Sequence, residues 1–362
     1  MPAKEVTVTL ANPLREGLRL ARTPEPACLV IFGASGDLTA RKLMPALYNL
    51  ALQHLLPASF AVIGSARRQM TADAFRAELH AAVAEFSRTR PINEEVWATF
   101  ARSIDYVATP DDRSYGELRD VLARIDSQIG ANGNRLFYLA TPPAAYEPII
   151  RAIGAHRLRG EGGWSRVVVE KPYGHDLKSA MELTSVVQEV FREDEVFRID
   201  HYLGKETVQN ILAFRFANGL FEPIWNRRYI DHVQITAAES IGIEGRGAFY
   251  EQTGAIRDLV STHMFQMMTF LAMEPPVSFE PNRLRDETVK VLRSAQLCHP
   301  SRLVRGQYER YRSEPGVADD SNVETFAAMQ IEIDNWRWAD VPFFLRTGKC
   351  MAAKSTEITL KF

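Results

Sequence analysis

The tightest constraint on the fold lies near the start, where the apolar run Cys28-Leu-Val-Ile-Phe32 meets glycine with no polar break. A strand apolar at every position is buried on both faces, as strands of a parallel sheet are. Gly33-Ala-Ser-Gly-Asp-Leu38 then turns the chain, and Leu38, Leu43, Leu47 and Leu50 recur at helical spacing toward His54. Strand, glycine turn and helix open a βαβ unit. The pattern continues, with residues 60–63, 136–140 and 166–170 reading as buried strands and 72–86 and 115–129 as helices. Alternation of this kind predicts a doubly wound α/β Rossmann domain.

Beyond about residue 200 the periodicity changes. Residues 232–238 and 357–361 alternate apolar and polar, 325–333 and 341–346 read as further strands, and 254–273 reads as one long Met-rich helix. This predicts an α+β domain with a large, mainly antiparallel sheet. The expected division is a flexible lead-in over 1–26, a dinucleotide-binding domain over 27–200, and a substrate and oligomerisation domain over 201–362. Phe362 falls within a strand-like segment, so a further segment or a partner subunit is expected on that edge.

Composition removes several function classes. A net charge of −2 gives no global attraction to nucleic acid or an anionic membrane. No apolar run reaches the length of a membrane-spanning helix, and the N-terminus lacks a secretory pattern. Cys28, Cys298 and Cys350 are odd in number and widely spaced, which fits a reducing cytoplasm better than a disulfide framework. No histidine or cysteine spacing forms a metal-ligand cluster, so no metal is expected.

The turn at Gly33, Ser35, Gly36, Asp37 and Leu38 suits a pyrophosphate, because small residues let backbone N–H groups approach it at a helix N-terminus. Ser35 and Leu38 stand where the generic motif has glycines, so a tight turn with no ligand is the competing reading. The second strand ends in Gly64-Ser-Ala-Arg67-Arg68, with no acid. An acid there binds ribose hydroxyls and repels a 2′-phosphate, whereas Arg67 grips one, which favours NADP over NAD. A solvated basic turn is the plainer alternative.

Glu170-Lys171-Pro172 ends another parallel strand, and a cis Lys-Pro bond there would let Lys171 hold a substrate hydroxyl beside the nicotinamide. His201, Tyr202 and Lys205 set three donors in one short loop, a pattern suited to a phosphate dianion. An ordinary polar loop is the alternative. Asp258 and His263 stand five apart on the long helix, which at α-helical pitch points them to different sides. His263 is either a satisfied core histidine among Met264, Met267 and Met268 or the base that alcohol oxidation needs. Asp200 is a candidate to orient it.

Taken in order, Gly33–Leu38, Glu170–Asp176, Arg198–Glu206, Gly245–Gly247, Ile256–Leu259 and Val341–Lys349 resemble the glucose-6-phosphate dehydrogenase family. The resemblance implies oxidation of glucose 6-phosphate at C1 with NADP, opening the oxidative pentose phosphate pathway. It implies that His263 is the base and Asp200 its partner, and that His201, Tyr202 and Lys205 bind the sugar phosphate. It assigns Lys171, Glu239, Asp258 and Lys349 to the sugar, and Ser35, Asp37 and Arg67 to the coenzyme. Members form homodimers or homotetramers and continue past the point where this sequence stops, so the resemblance also implies truncation. An NADP-binding but inactive chain or assembly subunit is one alternative, and an NADP oxidoreductase for an unphosphorylated sugar is another.

Overall fold

The computed structural model describes residues 24–296 and 299–362. Most of the expected lead-in, and Cys298, lie outside the described residues. The chain forms two compact units. One holds the residues up to Glu170 together with Glu182–Phe197, and the other holds Lys171–Met181 together with Arg198–Phe362.

The first unit is built on a six-stranded sheet in the order β3-β2-β1-β4-β5-β6. The strands are β1 (Ala27–Phe32), β2 (Phe60–Ala66), β3 (Ile104–Ala108), β4 (Arg135–Leu139), β5 (Ser165–Val169) and β6 (Val196–Arg198). β1 pairs in parallel with β2 and β4, β2 with β3, and β4 with β5. This is the dinucleotide-binding order, whose ligand crevice lies at the carboxyl ends of the strands where the order reverses. Every residue of β1 is buried, as its unbroken apolar sequence demands. The helices are α1 (Met44–Leu52), α2 (Ala72–Phe86), α3 (Glu94–Ala101), α4 (Tyr115–Ile129), α5 (Tyr146–Ala155) and α6 (Leu177–Val190), the last divided between the units. Their ends follow local chemistry: Thr71 and Asn93 side chains accept from first-turn N–H groups, and Gly130 closes α4 in the left-handed conformation. One core layer joins Ile31, Val62, Tyr48, Phe75 and Trp97.

The second unit carries α7 (Glu206–Phe216), β7 (His232–Ala238), α8 (Gly247–Ala255), a π-helix (Ile256–Met264), α9 (Phe265–Ala272), α10 (Pro281–Ser294), β8 (Leu303–Gly306), β9 (Phe326–Glu332), β10 (Pro342–Gly348) and β11 (Ser355–Lys361). Its sheet runs β11-β7-β10-β9-β8. β11–β7, β10–β9 and β8–β9 are antiparallel, while β7 and β10 are parallel. Val233, Ile235, Phe343 and Leu345 form a core with Met264, Met267, Met268 and Leu271. Each such side chain contributes about 1.5–3 kcal/mol on full burial. Trp338 and Trp225 donate their indole N–H to the carbonyls of Ala272 and Leu271, at 2.8 and 2.9 Å, so the aromatic mass is buried with its polar atom satisfied.

The single helix expected over 254–273 is three pieces. Gly254 has φ +62° and ψ 178°, which ends α8 and starts the chain afresh. Ile256–Met264 then closes as a π-helix before α9 resumes ordinary pitch. Among the described residues no helix is long and apolar enough to cross a membrane.

Candidate functional site

Two constellations stand out, one in each unit. In the first unit, the ends of β1, β2 and β4 open onto a cavity of about 1120 Å³ lined by Gly33, Ser35, Gly36, Ser65, Arg67, Tyr115, Thr141 and Pro142 among others. Gly33 has φ +82°, and a Cβ there would stand 2.3 Å from the carbonyl oxygen of Ala140. Only glycine lets the turn pass this close to β4. The helix after the turn opens at Asp37 and Leu38 and passes into a π-helical stretch, Thr39–Leu43. Asp37 and Leu38 do not line the cavity, and Asp37 is exposed and paired with Arg41 at 2.9 Å. The two arginines after β2 have separate fates. Arg68 is tied to Glu78 and donates toward Met70, whereas Arg67 lines the cavity and forms no ion pair among the described residues. A turn that admits only glycine, room for an extended nucleotide, no acid at the end of β2 and a free guanidinium together fit NADP.

In the second unit, Asp200, Lys171, Asp258 and His263 meet although they come from three separate segments. Asp200 Oδ1 stands 2.5 Å from His263 Nδ1, and Lys171 Nζ stands 2.8 Å from His263 Nε2. An ammonium can only donate, so Nε2 accepts and Nδ1 carries the hydrogen that Asp200 receives. Lys171 Nζ also donates to Asp258, to Oδ1 at 3.0 Å and to its carbonyl oxygen at 3.1 Å. The Lys171–Pro172 bond is cis. His263 itself is fully buried.

Here the expectation from α-helical pitch fails. Five residues along an α-helix turn a side chain about 140° away, so Asp258 and His263 were expected on different sides. In a π-helix hydrogen bonds close over five residues, and such neighbours lie nearly above one another. Both therefore reach the same lysine.

The loop after Asp200 completes the cluster. The Tyr202 N–H donates to Asp200 Oδ1 at 2.9 Å, and the Tyr202 ring stacks on the His263 ring with centroids 4.0 Å apart and 15° between planes. Lys205 Nζ sits 3.2 Å from the centre of the Tyr202 ring, and His201 meets His263 edge-on at 4.5 Å. Burial pushes the Asp200 carboxyl up, but the bond to His263 and the Tyr202 N–H outweigh it, and the group stays below its usual range. Partial burial of its ring, then the charges of His263 and Lys171, hold His201 down at about 4. Lys205 is lowered by burial and by the charge of Lys354.

Glu239 and Lys349 follow the last residues of β7 and β10, whose parallel register pairs Ala238 with Gly348. Parallel pairing sets both at the same end of the sheet; antiparallel pairing would have parted them. Lys349 Nζ and Glu239 Oε2 lie 2.5 Å apart, with the lysine side chain 3% exposed. Lys354 is a residue that motif spacing does not single out. Its only signal in the sequence is a second lysine shortly after Lys349, and its charge bears on Lys205 through space.

Ligand atoms of Asp200, His201 and His263 lie within 4.8 Å of one another, close enough in principle for a cation. Both His263 nitrogens are already engaged, one of them by an ammonium group. A metal would have to displace a lysine charge, so the cluster is better suited to proton transfer than to ligation.

Comparisons with known proteins identify the family. A family model described as glucose-6-phosphate dehydrogenase, NAD binding domain, matches residues 30–210, and one described as glucose-6-phosphate dehydrogenase, C-terminal domain, matches 212–362. Glucose-6-phosphate 1-dehydrogenase 2 of Mycobacterium tuberculosis is 46% identical over 370 residues, covering 97% of this chain and 72% of that protein. The Bacillus subtilis glucose-6-phosphate 1-dehydrogenase is 42% identical over 350 residues, covering 93% and 71%. A solved glucose-6-phosphate dehydrogenase in complex with its substrate glucose-6-phosphate superposes with TM-score 0.87 at 37% identity, over 93% of this chain and 72% of that one. The Mycobacterium avium enzyme superposes at 0.82 and 38% identity, over the same shares.

Proposed function

This chain belongs to the glucose-6-phosphate dehydrogenase family, and from that premise we propose that it oxidises D-glucose 6-phosphate at C1 to 6-phospho-D-glucono-1,5-lactone with reduction of NADP. The observation that carries the reading is the Asp200–His263–Lys171 line, which leaves an unprotonated Nε2 beside an ammonium donor.

His263 takes the C1 hydroxyl proton on Nε2. Asp200 holds the tautomer that makes this possible and stabilises the imidazolium that results. Lys171, freed from Nε2 as the proton arrives, keeps its donors on the sugar oxygen and offsets developing negative charge. Asp258 anchors that lysine from the same face of the π-helix. Glu239 and Lys349 bind sugar hydroxyls, and His201, Tyr202 and Lys205 hold the 6-phosphate. A neutral His201 donates one hydrogen bond while Lys205 supplies the charge. When bound, NADP supplies the oxidised nicotinamide that receives the C1 hydride. The Gly33–Leu38 turn, with Gly33, Ser35 and Gly36 foremost, holds its pyrophosphate, and Arg67 holds its 2′-phosphate.

The copies associate as a homodimer or homotetramer. Support comes from the outward face of the second sheet, where Val304 is 63% and Phe344 40% exposed. A cytoplasmic location is supported by Cys28 and Cys350, whose thiols are unpaired among the described residues.

The test is growth of reduced-cofactor absorbance when the protein meets glucose 6-phosphate and NADP, beside a panel of unphosphorylated sugars. His263→Asn should cut kcat by about 10²–10⁴-fold while glucose 6-phosphate still binds. Equal use of free glucose would refute the phosphate grip, and full turnover by the variant would remove His263 from its role.

A further inference from the structure

The π-helix that aligns Asp258 with His263 needs something to set where it starts. At its first residues, backbone N–H groups lack partners within the helix. Two N–H groups at this junction are taken by a single residue from just before β9. The Ala255 N–H donates to the Glu324 carbonyl oxygen at 2.9 Å, and the Ile256 N–H donates to Glu324 Oε1 at 3.1 Å. Gly254 makes the approach possible, since a Cβ there would stand 2.6 Å from Glu324 Oε1. Among the described residues Glu324 pairs with no cation, so an ion pair does not account for its carboxylate.

The neighbour of Glu324 does comparable work on another part of the site. The buried Thr325 accepts the Lys349 N–H at its carbonyl oxygen, at 3.0 Å. Its hydroxyl accepts the Tyr308 N–H at 2.8 Å, and its own N–H donates to the Gly306 carbonyl oxygen at 2.9 Å. Glu324 thus stands on a rigid mount that also fixes the backbone of the sugar-site lysine.

We propose that Glu324 is a positioning residue that sets the phase of the π-helix, so that Asp258 and His263 face Lys171 together. The inference rests on the proposed sugar-phosphate oxidation and adds to it a residue that touches none of the reacting groups. Without the Oε1 bond the chain after Gly254 is free to wind at α pitch, which hydrogen-bonds over four residues instead of five. Asp258 and His263 would then part, and Lys171 could not serve both.

Glu324→Ala should lower kcat for glucose 6-phosphate oxidation by about 100-fold, the scale of an ångström-sized misplacement. KM for glucose 6-phosphate should move less, because the 201–205 loop also keeps turn bonds of its own, from the Leu203, Gly204 and Lys205 N–H groups to the carbonyl oxygens of Asp200, His201 and Tyr202. Glu324→Gln keeps the accepting oxygen and should restore kcat. A second readout does not need turnover: the downfield proton resonance of the His263–Asp200 bond should persist in the parent and in Glu324→Gln, and shift in Glu324→Ala. If Glu324→Ala does not fold, Gly254→Ala, which drives the carboxylate from Ile256, should give the same loss and the same shift. Parent-like kcat and resonance in the truncated variant, or a Gln variant as impaired as the Ala one, would overturn the proposal. A parent protein that shows the resonance but no turnover would overturn the functional reading instead, and the resonance of the variants would then decide the role of Glu324 alone.

Discussion

The cavity in the first unit and the charged cluster in the second are built in opposite ways. The cavity uses backbone: a turn at Gly33 that only glycine can make, strand ends in register, and one guanidinium, at Arg67, that pairs with no acid among the described residues. The cluster uses side chains drawn from distant segments and already locked to one another, Asp200 to His263, His263 to Lys171, Lys349 to Glu239. Binding by backbone tolerates change at most positions. Catalysis by interlocked side chains does not, because each group also fixes the protonation or direction of the next.

Substitutions put this contrast to the test. The largest effect is expected for Asp200→Asn, which keeps the shape but not the acceptor-only oxygens. Loss of the productive tautomer should lower kcat by up to about 10⁴-fold, with NADP binding, measured by thermal shift, unaltered. On the cavity side, Arg67→Ala should raise KM for NADP roughly 10- to 100-fold, the equivalent of the 1.5–3 kcal/mol of a charge-assisted bond. KM for NAD should barely respond, and equal changes would deny the phosphate grip. Lys354 is exposed, so Lys354→Ala should raise KM for glucose 6-phosphate only about two- to fivefold, in a salt-dependent way. An effect that survives high salt would show a buried contact instead.

The smallest effect is on stability. The folded protein protonates His201 only near pH 4, against about 6.5 as the ordinary value. Between these values the unfolded chain binds the extra proton, so stability is lost as pH falls from about 6.5 toward 4. The depressed Asp200 carboxyl adds a loss of the same sign lower still, as pH falls through its folded value. Unfolding temperatures across this window should therefore decline, and His201→Asn should flatten the upper part of the slope. An unchanged slope would mean that the ring is not held neutral.

The same contrast explains what the amino-acid order reveals. β1, its turn and Arg67 are contiguous or nearly so, and their chemistry follows from spacing. The side-chain cluster is not contiguous: the residues themselves offer Asp200 only as a candidate to orient His263, and the agreement of several motifs with one family singles it out as the partner. Pitch was the point of failure. Nothing in Ile256–Met264 distinguishes a π-helix from an α-helix by apolar period, and its cause lies in Gly254 and in Glu324, some seventy residues on. The parallel pairing of β7 with β10 was equally hidden, because alternation tells which face a residue takes and not which strand lies beside it.

Chain routing has a practical edge. The polypeptide leaves the first body at Lys171, spends a short stretch in the second, returns for Glu182–Phe197 and leaves again. No single scission yields two whole pieces. A fragment stopped at Glu170 forfeits β6 and all of α6, while one begun at Arg198 forfeits Lys171 and with it a donor to the imidazole. Domain-swapped chimaeras joined end to end would inherit that defect, and a graft would need two seams on each side to keep the lysine with its histidine.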